Sequence, residues 1–317
     1  MRRTKFLTLL FIASLFAVSC GDDENDYYLG GEKPDSPVVD GDSKTNTNRN
    51  TGNIILNRLE FPKTKGGTSE VIIHSTDNYG VNYAIEWDHA LRAQRWTAYA
   101  FYKSNSVSHW ARGNWAGTEW GGDPFQTDPK VPAIEQPSVK GEFSGSYYPG
   151  SNSYYDRGHI CASQDRMCSR EVNEQTFYMT NMMPQVNAFN SGIWSKMEEQ
   201  VRKWNKDSFR DTLFVVKGGT IDTEASILAR TRNKFIVPRY FFMALLCKKG
   251  TTTKALGFWV AHLNTNRSSD PLSMYVVSID DLEQKTGIDF FCNLPDVTEE
   301  LVESQSTEDI IAFWGLK

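Results

Sequence analysis

Apolar residues recur along this chain in short runs separated by polar stretches that carry glycine or proline. The runs Ile54–Leu56, Val71–Ile73, Trp96–Tyr102, Phe177–Met179, Leu213–Val216, Tyr240–Cys247, Gly257–His262 and Tyr275–Ile279 are the clearest. Several are rich in β-branched or aromatic residues and are bounded by Gly, Asn, Asp or Pro, the signature of buried strands. Ser191–Lys206 follows a different period. Asn190, Trp194, Met197, Val201 and Trp204 recur at intervals of four and three, which places them on one helix face, while Lys196, Glu199, Arg202 and Lys203 largely face away. Two further helices are predicted over Ile279–Thr286 and Val297–Ser304. Strands mixed with packed helices imply an α+β fold, with a mixed or antiparallel central sheet.

The pattern is absent from the first part of the chain. Residues 21–52 are rich in Asp, Gly, Ser, Thr, Asn and Pro with almost nothing to bury, so a flexible acidic linker is expected over 20–52 and one domain over 53–317. Ahead of it, Arg2, Arg3 and Lys5 precede the apolar run Phe6–Val18, which is shorter than the roughly 20 residues of a membrane span and reads as a secretion signal over 1–19. Ala17-Val18-Ser19-Cys20 resembles a bacterial lipoprotein box, with Cys20 as the lipidated first residue. The acidic run Gly21–Asp26 resembles a surface-export signal of such lipoproteins. The expectation is an exported protein, lipid-anchored at the bacterial outer membrane and exposed at the cell surface; an ordinary signal peptide, giving a secreted or periplasmic protein, is the other reading.

Composition adds two constraints. At 317 residues with 39% hydrophobic content, the chain can bury a sizeable core. The formal charge of −5 speaks against a polyanion partner until it is divided: residues 20–52 hold eight acids against three bases, and the remainder is near neutral. A near-neutral domain can still focus positive potential in one cleft, which suits turnover better than coating of nucleic acid. Cys161, Cys168, Cys247 and Cys292 lie in the domain, and an exported chain meets oxidising conditions, so one or two disulfides are compatible with it. With no C-x-x-C and no clustered histidine, zinc is disfavoured.

The polar chemistry concentrates in two clusters, Tyr155-Asp156-Arg157-Gly158-His159 and Thr180-Asn181-Met182-Met183-Pro184-Gln185, the second continuing through Asn190, Trp194 and Glu198. Hydrolysis of a phosphodiester needs an activated water and charge stabilisation on the phosphoryl oxygens. His159, the one histidine of the clusters, suits the first task. A divalent cation suits the second, and Mg²⁺ keeps enough of its water for a single amide oxygen to hold it. Asn190 at the helix start and Glu198 two turns on share a side, and Arg157 shares a strand face with His159 if the segment is extended. Each residue also has a plainer role open to it: a surface turn for Asp156-Arg157-Gly158, a helix cap for Asn190, a solvated carboxylate for Glu198, core for Trp194.

Taken together, D-R-G-H at 156–159, N-M-M-P-Q at 181–185, Asn190, Trp194 and Glu198 resemble the DNA/RNA non-specific endonucleases, the ββα-metal (His-Me finger) family. Asn82–Asp88 and Arg95–Tyr99 resemble its opening strands, and Ser278–Glu283 and Thr286–Phe291 its closing segment. The resemblance implies a catalytic set of His159, Arg157, Asp156, Glu198 and Asn181. Within it, His159 is the general base and Asn190 the one direct protein ligand of Mg²⁺, with Mn²⁺ as a substitute. Asp156 and Glu198 orient water, Asn181 supports the site by hydrogen bonds, and Arg157 binds phosphate. An upstream Arg also binds phosphate in the family, and Arg112 is the nearest candidate. DNA and RNA would be the substrates and 5′-phosphates the products, with the membrane met through Cys20 and no obligate protein partner. Two departures stand out: Cys161-Ala162 replaces the usual Ala-Pro, and an insertion rich in Gly and Trp occupies about 110–127. The rival readings are an inactive surface lipoprotein that binds polyanions or glycans, and a phosphodiesterase restricted to small nucleotides.

Overall fold

The computed structural model describes residues 45–316, so the secretion signal, Cys20 and most of the acidic linker lie outside the described residues. The strands are β1 (Ser69–Thr76), β2 (Gly80–Asp88), β3 (Ala93–Phe101), β4 (Tyr155–His159), β5 (Met182–Val186), β6 (Thr212–Gly219), β7 (Ile227–Arg230), β8 (Ile236–Pro238), β9 (Tyr240–Lys249), β10 (Thr252–Ala261) and β11 (Val276–Val277). The helices are α1 (Arg170–Gln175), α2 (Asn187–Phe189), α3 (Ser195–Trp204), α4 (Ile279–Thr286), α5 (Asp296–Glu303) and α6 (Thr307–Trp314). Seven strands form one antiparallel sheet in the order β1-β2-β3-β6-β9-β10-β11. The α+β expectation holds, with the sheet antiparallel.

Strand alternation divides the core into two layers. Leu213 and Val215 of β6 point to one side with Tyr99, Met243 and Leu245, while Phe214 and Val216 point to the other with Trp96, Phe242 and Leu246. On the first side lies α3, whose buried Met197, Val201 and Trp204 continue from Trp194 just before the helix as the seam read from the sequence, while Asn190, read into the same seam, lines the cleft instead. Each buried side chain of that size contributes roughly 1.5–3 kcal/mol, and this holds an otherwise hydrophilic helix to the sheet. On the second side lies α4, with Ile279 and Leu282 inward, together with Val302 of α5. Ser278 caps α4 by accepting from the Asp281 N–H at 3.0 Å, and Gly287 ends it in the left-handed conformation at φ 68°.

The feature that matters for function is the connection from β3 to β6. These two strands are neighbours in the sheet, yet the chain between them leaves the sheet and builds the β4–β5 ribbon and α1–α3.

Three predicted strands differ. Ile54–Leu56 lies in a 3₁₀ turn, because Asn53 accepts from the Ile55 N–H at 3.1 Å and starts helical winding. Phe177–Met179 forms only a bridge to Gln126 before turning into a 3₁₀ segment at Met179–Asn181. Of Tyr275–Ile279 only Val276–Val277 is strand, since Ser278 starts the next helix. At the N-terminal side the packed chain begins before residue 53. Asn46 donates to the carbonyls of Cys292 and Leu294 at 3.0 and 2.6 Å, and the buried Asn50 to those of Leu56 and Pro62 at 3.1 and 3.0 Å. Cys161, Cys168, Cys247 and Cys292 are all buried free thiols, so no disulfide forms among them.

Candidate active site

Strand β4 carries D-R-G-H opposite M-M-P-Q of β5, with Asp156 facing Gln185 and His159 facing Met182. The segment is extended as expected, and Arg157 and His159 line one cleft of about 680 Å³. Gly158 between them is required by space. A Cβ there would lie 2.3 Å from Cδ of the fully buried Gln185, which lies across the strand. Gly158→Ala is expected to cost about 1–3 kcal/mol by overpacking, and to lower activity because β4 must shift. A urea midpoint unchanged from the parent would refute this.

The helical side begins earlier than the periodicity indicated. Asn187 opens α2, and Asn190–Trp194 is a π-turn in which Gly192 leaves helical geometry at φ −96°, ψ −112°. Asn190 therefore sits inside a bulged helix rather than at its cap, a place where π-turns often present functional groups. Asp156 Oδ2 accepts from Nδ2 of both Asn187 and Asn190, at 2.9 and 3.0 Å. A carboxylate can only accept, so it fixes the Asn190 amide with Oδ1 left for another partner. Trp194 is buried core, and its Nε1 donates to the His159 carbonyl at 3.4 Å, tying the helix to β4.

Asn181 does not line the cleft. Fully buried, it accepts the Cys161 N–H at 2.8 Å and donates to the carbonyls of Cys161 and Thr176 at 2.9 and 2.7 Å, which fixes the turn that follows His159.

Glu198 lines the cleft and is backed by a set of charges that sequence reasoning did not identify. Glu198 Oε1 accepts from Lys217 Nζ at 3.1 Å, and Lys217 lies 3.4 Å from Asp165. Asp165 is fully buried and also takes bonds from Tyr99 at 2.5 Å and Arg202 at 3.0 Å. Asp165 is held below the ordinary carboxylate range: burial raises it, but Lys217, Arg202 and Tyr99 outweigh that. Glu198 goes the other way, raised by burial and by Asp165 despite Lys217 and Arg202. The one sequence signal was a lysine inside the apolar strand Thr212–Gly219.

His159 is packed edge-on against Phe125 at 5.4 Å and Phe177 at 5.0 Å. Its Nε2 is buried without a hydrogen-bond partner. Burial, then Arg112, Arg157 and Lys217, push its pKa down from the usual 6.5 to about 3, opposed by a hydrogen bond to the Arg157 backbone. The imidazole is thus neutral, with a free ring nitrogen, across the physiological range. Arg157 stacks 3.5 Å over Phe125 and bonds Asp123 at 3.0 Å, and Arg112 lies 5.5 Å over Phe177. Arg112, the weakest of the sequence assignments, does line the cleft, as do Asp123 and Phe125 from the inserted segment.

These charges set a testable pH dependence. Removing a nearby cation favours the imidazolium, so Arg112→Gln raises the His159 pKa, and the acid limb of kcat/KM moves to higher pH. An acid limb that stays in place would show that Arg112 does not act on His159.

The donor set suits a hard divalent cation: an amide oxygen fixed by a carboxylate, with Glu198 lining the same cleft. A two-stranded ribbon carrying a histidine, followed by a helix carrying an asparagine, defines a ββα-metal nuclease site, and the chain belongs to the DNA/RNA non-specific endonuclease family, whose model matches residues 67–297. Among its relatives, nuclease C1 of Cunninghamella echinulata is 28% identical over 50% of this chain and 66% of its own length. A nuclease of Nostoc sp. is 32% identical over 50% and 58%. The mitochondrial nuclease EXOG of Mus musculus is 26% identical over 67% and 56%. The chain thus spans between about half and two thirds of these relatives. EndoG, solved in complex with EndoGI, shares the fold at TM-score 0.56 and 19% identity, over 72% of this chain and 87% of that one.

Proposed function

We propose that this protein is a Mg²⁺-dependent, sugar-non-specific endonuclease that hydrolyses DNA and RNA to 5′-phosphate products. The observation that carries the reading is His159 Nε2, an unpartnered base in a cleft it shares with Arg112, Arg157 and Asn190. Arg157 and Arg112 bind the backbone phosphate, and Arg157 exchanges its bond to Asp123 for it. His159 takes a proton from water, whose oxygen forms the new P–O bond. The P–O3′ bond breaks, the 3′-oxygen takes a proton from solvent, and the phosphate remains on the 5′ side. Asp156 orients the Asn190 amide, and Asn190 Oδ1 is the protein ligand that would hold the cation. A bound Mg²⁺ (Mn²⁺ can replace it) supplies Lewis-acid stabilisation of charge on the phosphoryl oxygens. Sequence preference is not expected, since the motifs include no zinc finger or helix-turn-helix.

The test incubates the protein with supercoiled plasmid and with RNA, in Mg²⁺ and in EDTA, beside Asn190→Ala. Degradation of both polymers is expected in Mg²⁺ alone, and the variant is expected to lose at least about 10-fold in metal affinity along with most of its activity. Plasmid retarded but intact under every divalent ion would favour the polyanion-binding reading, and cleavage confined to mononucleotide esters the small-substrate one. For location, we infer export and lipid anchoring through Cys20. Mass spectrometry of the mature N-terminus checks this, and an unmodified Cys20 would refute it.

A further inference from the structure

Across the sheet from the cleft, α4 and α5 bring carboxylates together. Asp280 and Glu283 are three residues apart on α4 and share a face. Glu303 ends α5, where a negative charge is disfavoured by the helix dipole. Ligand oxygens of Asp280, Glu283 and Glu303 all lie within 4.8 Å of one another. Glu299, one turn before Glu303, and Asp289, after α4, stand behind them; each accepts from Asn48 Nδ2, at 3.0 and 3.3 Å. Among the described residues, none of the five pairs with Lys or Arg.

The second observation concerns Glu303 itself. Its side chain is 8% exposed, and its Oε1 is buried with no hydrogen-bond partner. A buried carboxylate with an unpartnered oxygen, grouped with two other carboxylates, is costly unless a proton or a cation joins it. The oxygens all but lack such relief from the chain: Glu283 Oε1 takes the Phe290 N–H at 2.6 Å, and Asn48 serves Glu299 and Asp289. Oxygens within 4.8 Å of one another can share one ion, and Ca²⁺, about 2.3–2.6 Å from each ligand in a flexible geometry, tolerates such an irregular set. Mg²⁺ demands shorter distances and stricter octahedral order.

We propose that Asp280, Glu283 and Glu303 form a Ca²⁺ site that joins α4 to α5, with Glu299 and Asp289 adding negative charge behind it. The site is structural and independent of the cleft, because α4 and α5 pack on the opposite core layer. It clamps the C-terminal helices over the sheet, and its occupancy sets the stability of that corner.

The experiment uses the full-length protein carrying Asn190→Ala, which removes the protein ligand expected to hold a cation in the cleft. After EDTA treatment and its removal, Ca²⁺ is titrated by calorimetry and the melting temperature followed. One Ca²⁺ is expected to bind, with a rise of several degrees. Glu303→Gln and Asp280→Asn should each weaken binding by about tenfold or more, since affinity follows ligand charge. Neither should change nuclease activity in saturating Mg²⁺ when made in the parent protein. Asp280 is the most open of the three, so Asp280→Asn decides the matter if Glu303→Gln does not fold. Absence of Ca²⁺ binding, or binding untouched by Asp280→Asn, overturns the proposal. A Glu303→Gln protein that melts higher in EDTA and ignores Ca²⁺ overturns it in favour of a cluster held by shared protons.

Discussion

Replacing His159 with alanine is expected to reduce plasmid cleavage by at least about 10³-fold while leaving the fold intact. General-base catalysis alone contributes on the order of 10²–10⁴-fold, and His159 would also position the water. No histidine stands by to replace it. His74 is paired with Asp128 at 3.0 Å, His89 with Glu135 at 2.5 Å, and His262 accepts the Val186 N–H at 2.9 Å. His109 is not among the residues lining the cleft. The fold should tolerate the change, since Nε2 makes no bond and the ring loses one hydrogen bond to the Arg157 backbone and its edge contacts with Phe125 and Phe177. The rate of nicking, read beside far-UV circular dichroism, checks both halves. Full activity in a folded His159→Ala protein would end the assignment.

The second large effect is on stability. Lys217→Met is expected to destabilise the protein by about 3–5 kcal/mol, the usual cost of removing one partner from a buried ion pair. Lys217 is fully buried and bonds both Asp165 and Glu198, which leaves Arg202, on Asp165, as the remaining cation of the set when it is removed. The loss also has a sign in pH. The folded-state pKa of Asp165 is depressed, so its contribution is present above the ordinary carboxylate range and is lost as pH falls through its folded pKa. Without Lys217 that pKa rises, and acid unfolding begins at higher pH. Glu198, already raised by burial and Asp165, rises further and carries less charge into the cleft. Urea unfolding at neutral and mildly acidic pH measures this, and equal midpoints for parent and variant would refute it.

Much of this was legible in the residues, for physical reasons that differ from site to site. The α3 seam of Trp194, Met197, Val201 and Trp204 was readable because burial repeats with the helical period. Arg157 and His159 could be placed on one face because strand alternation is fixed by the backbone. The π-turn was not readable. Periodicity averages over a window, and one extra residue near Gly192 leaves the seam after it unchanged. Lys217 was hidden for another reason: lysine is ordinarily a surface residue, and its partners Asp165 and Glu198 come from other elements. Asn46 and Asn50 looked like linker because their contribution is amide hydrogen bonding to backbone carbonyls, with no apolar signal. The cysteines gave no pairing, and in the fold each is buried as a small apolar side chain.

The π-turn also bears on how such a protein can be lost to evolution. A residue inserted into an α-helix turns what lies on one side by about 100° relative to the other. Here α3 is fixed in the core by Met197, Val201 and Trp204, so deleting one residue between Asn190 and Trp194 would regularise the helix and swing Asn190 away from Asp156. The sheet, the ribbon and the arginines would remain. A single in-frame codon deletion thus separates an enzyme from a folded, catalytically silent descendant that still presents its basic cleft to polyanions, so pseudoenzymes are expected to arise readily from this architecture.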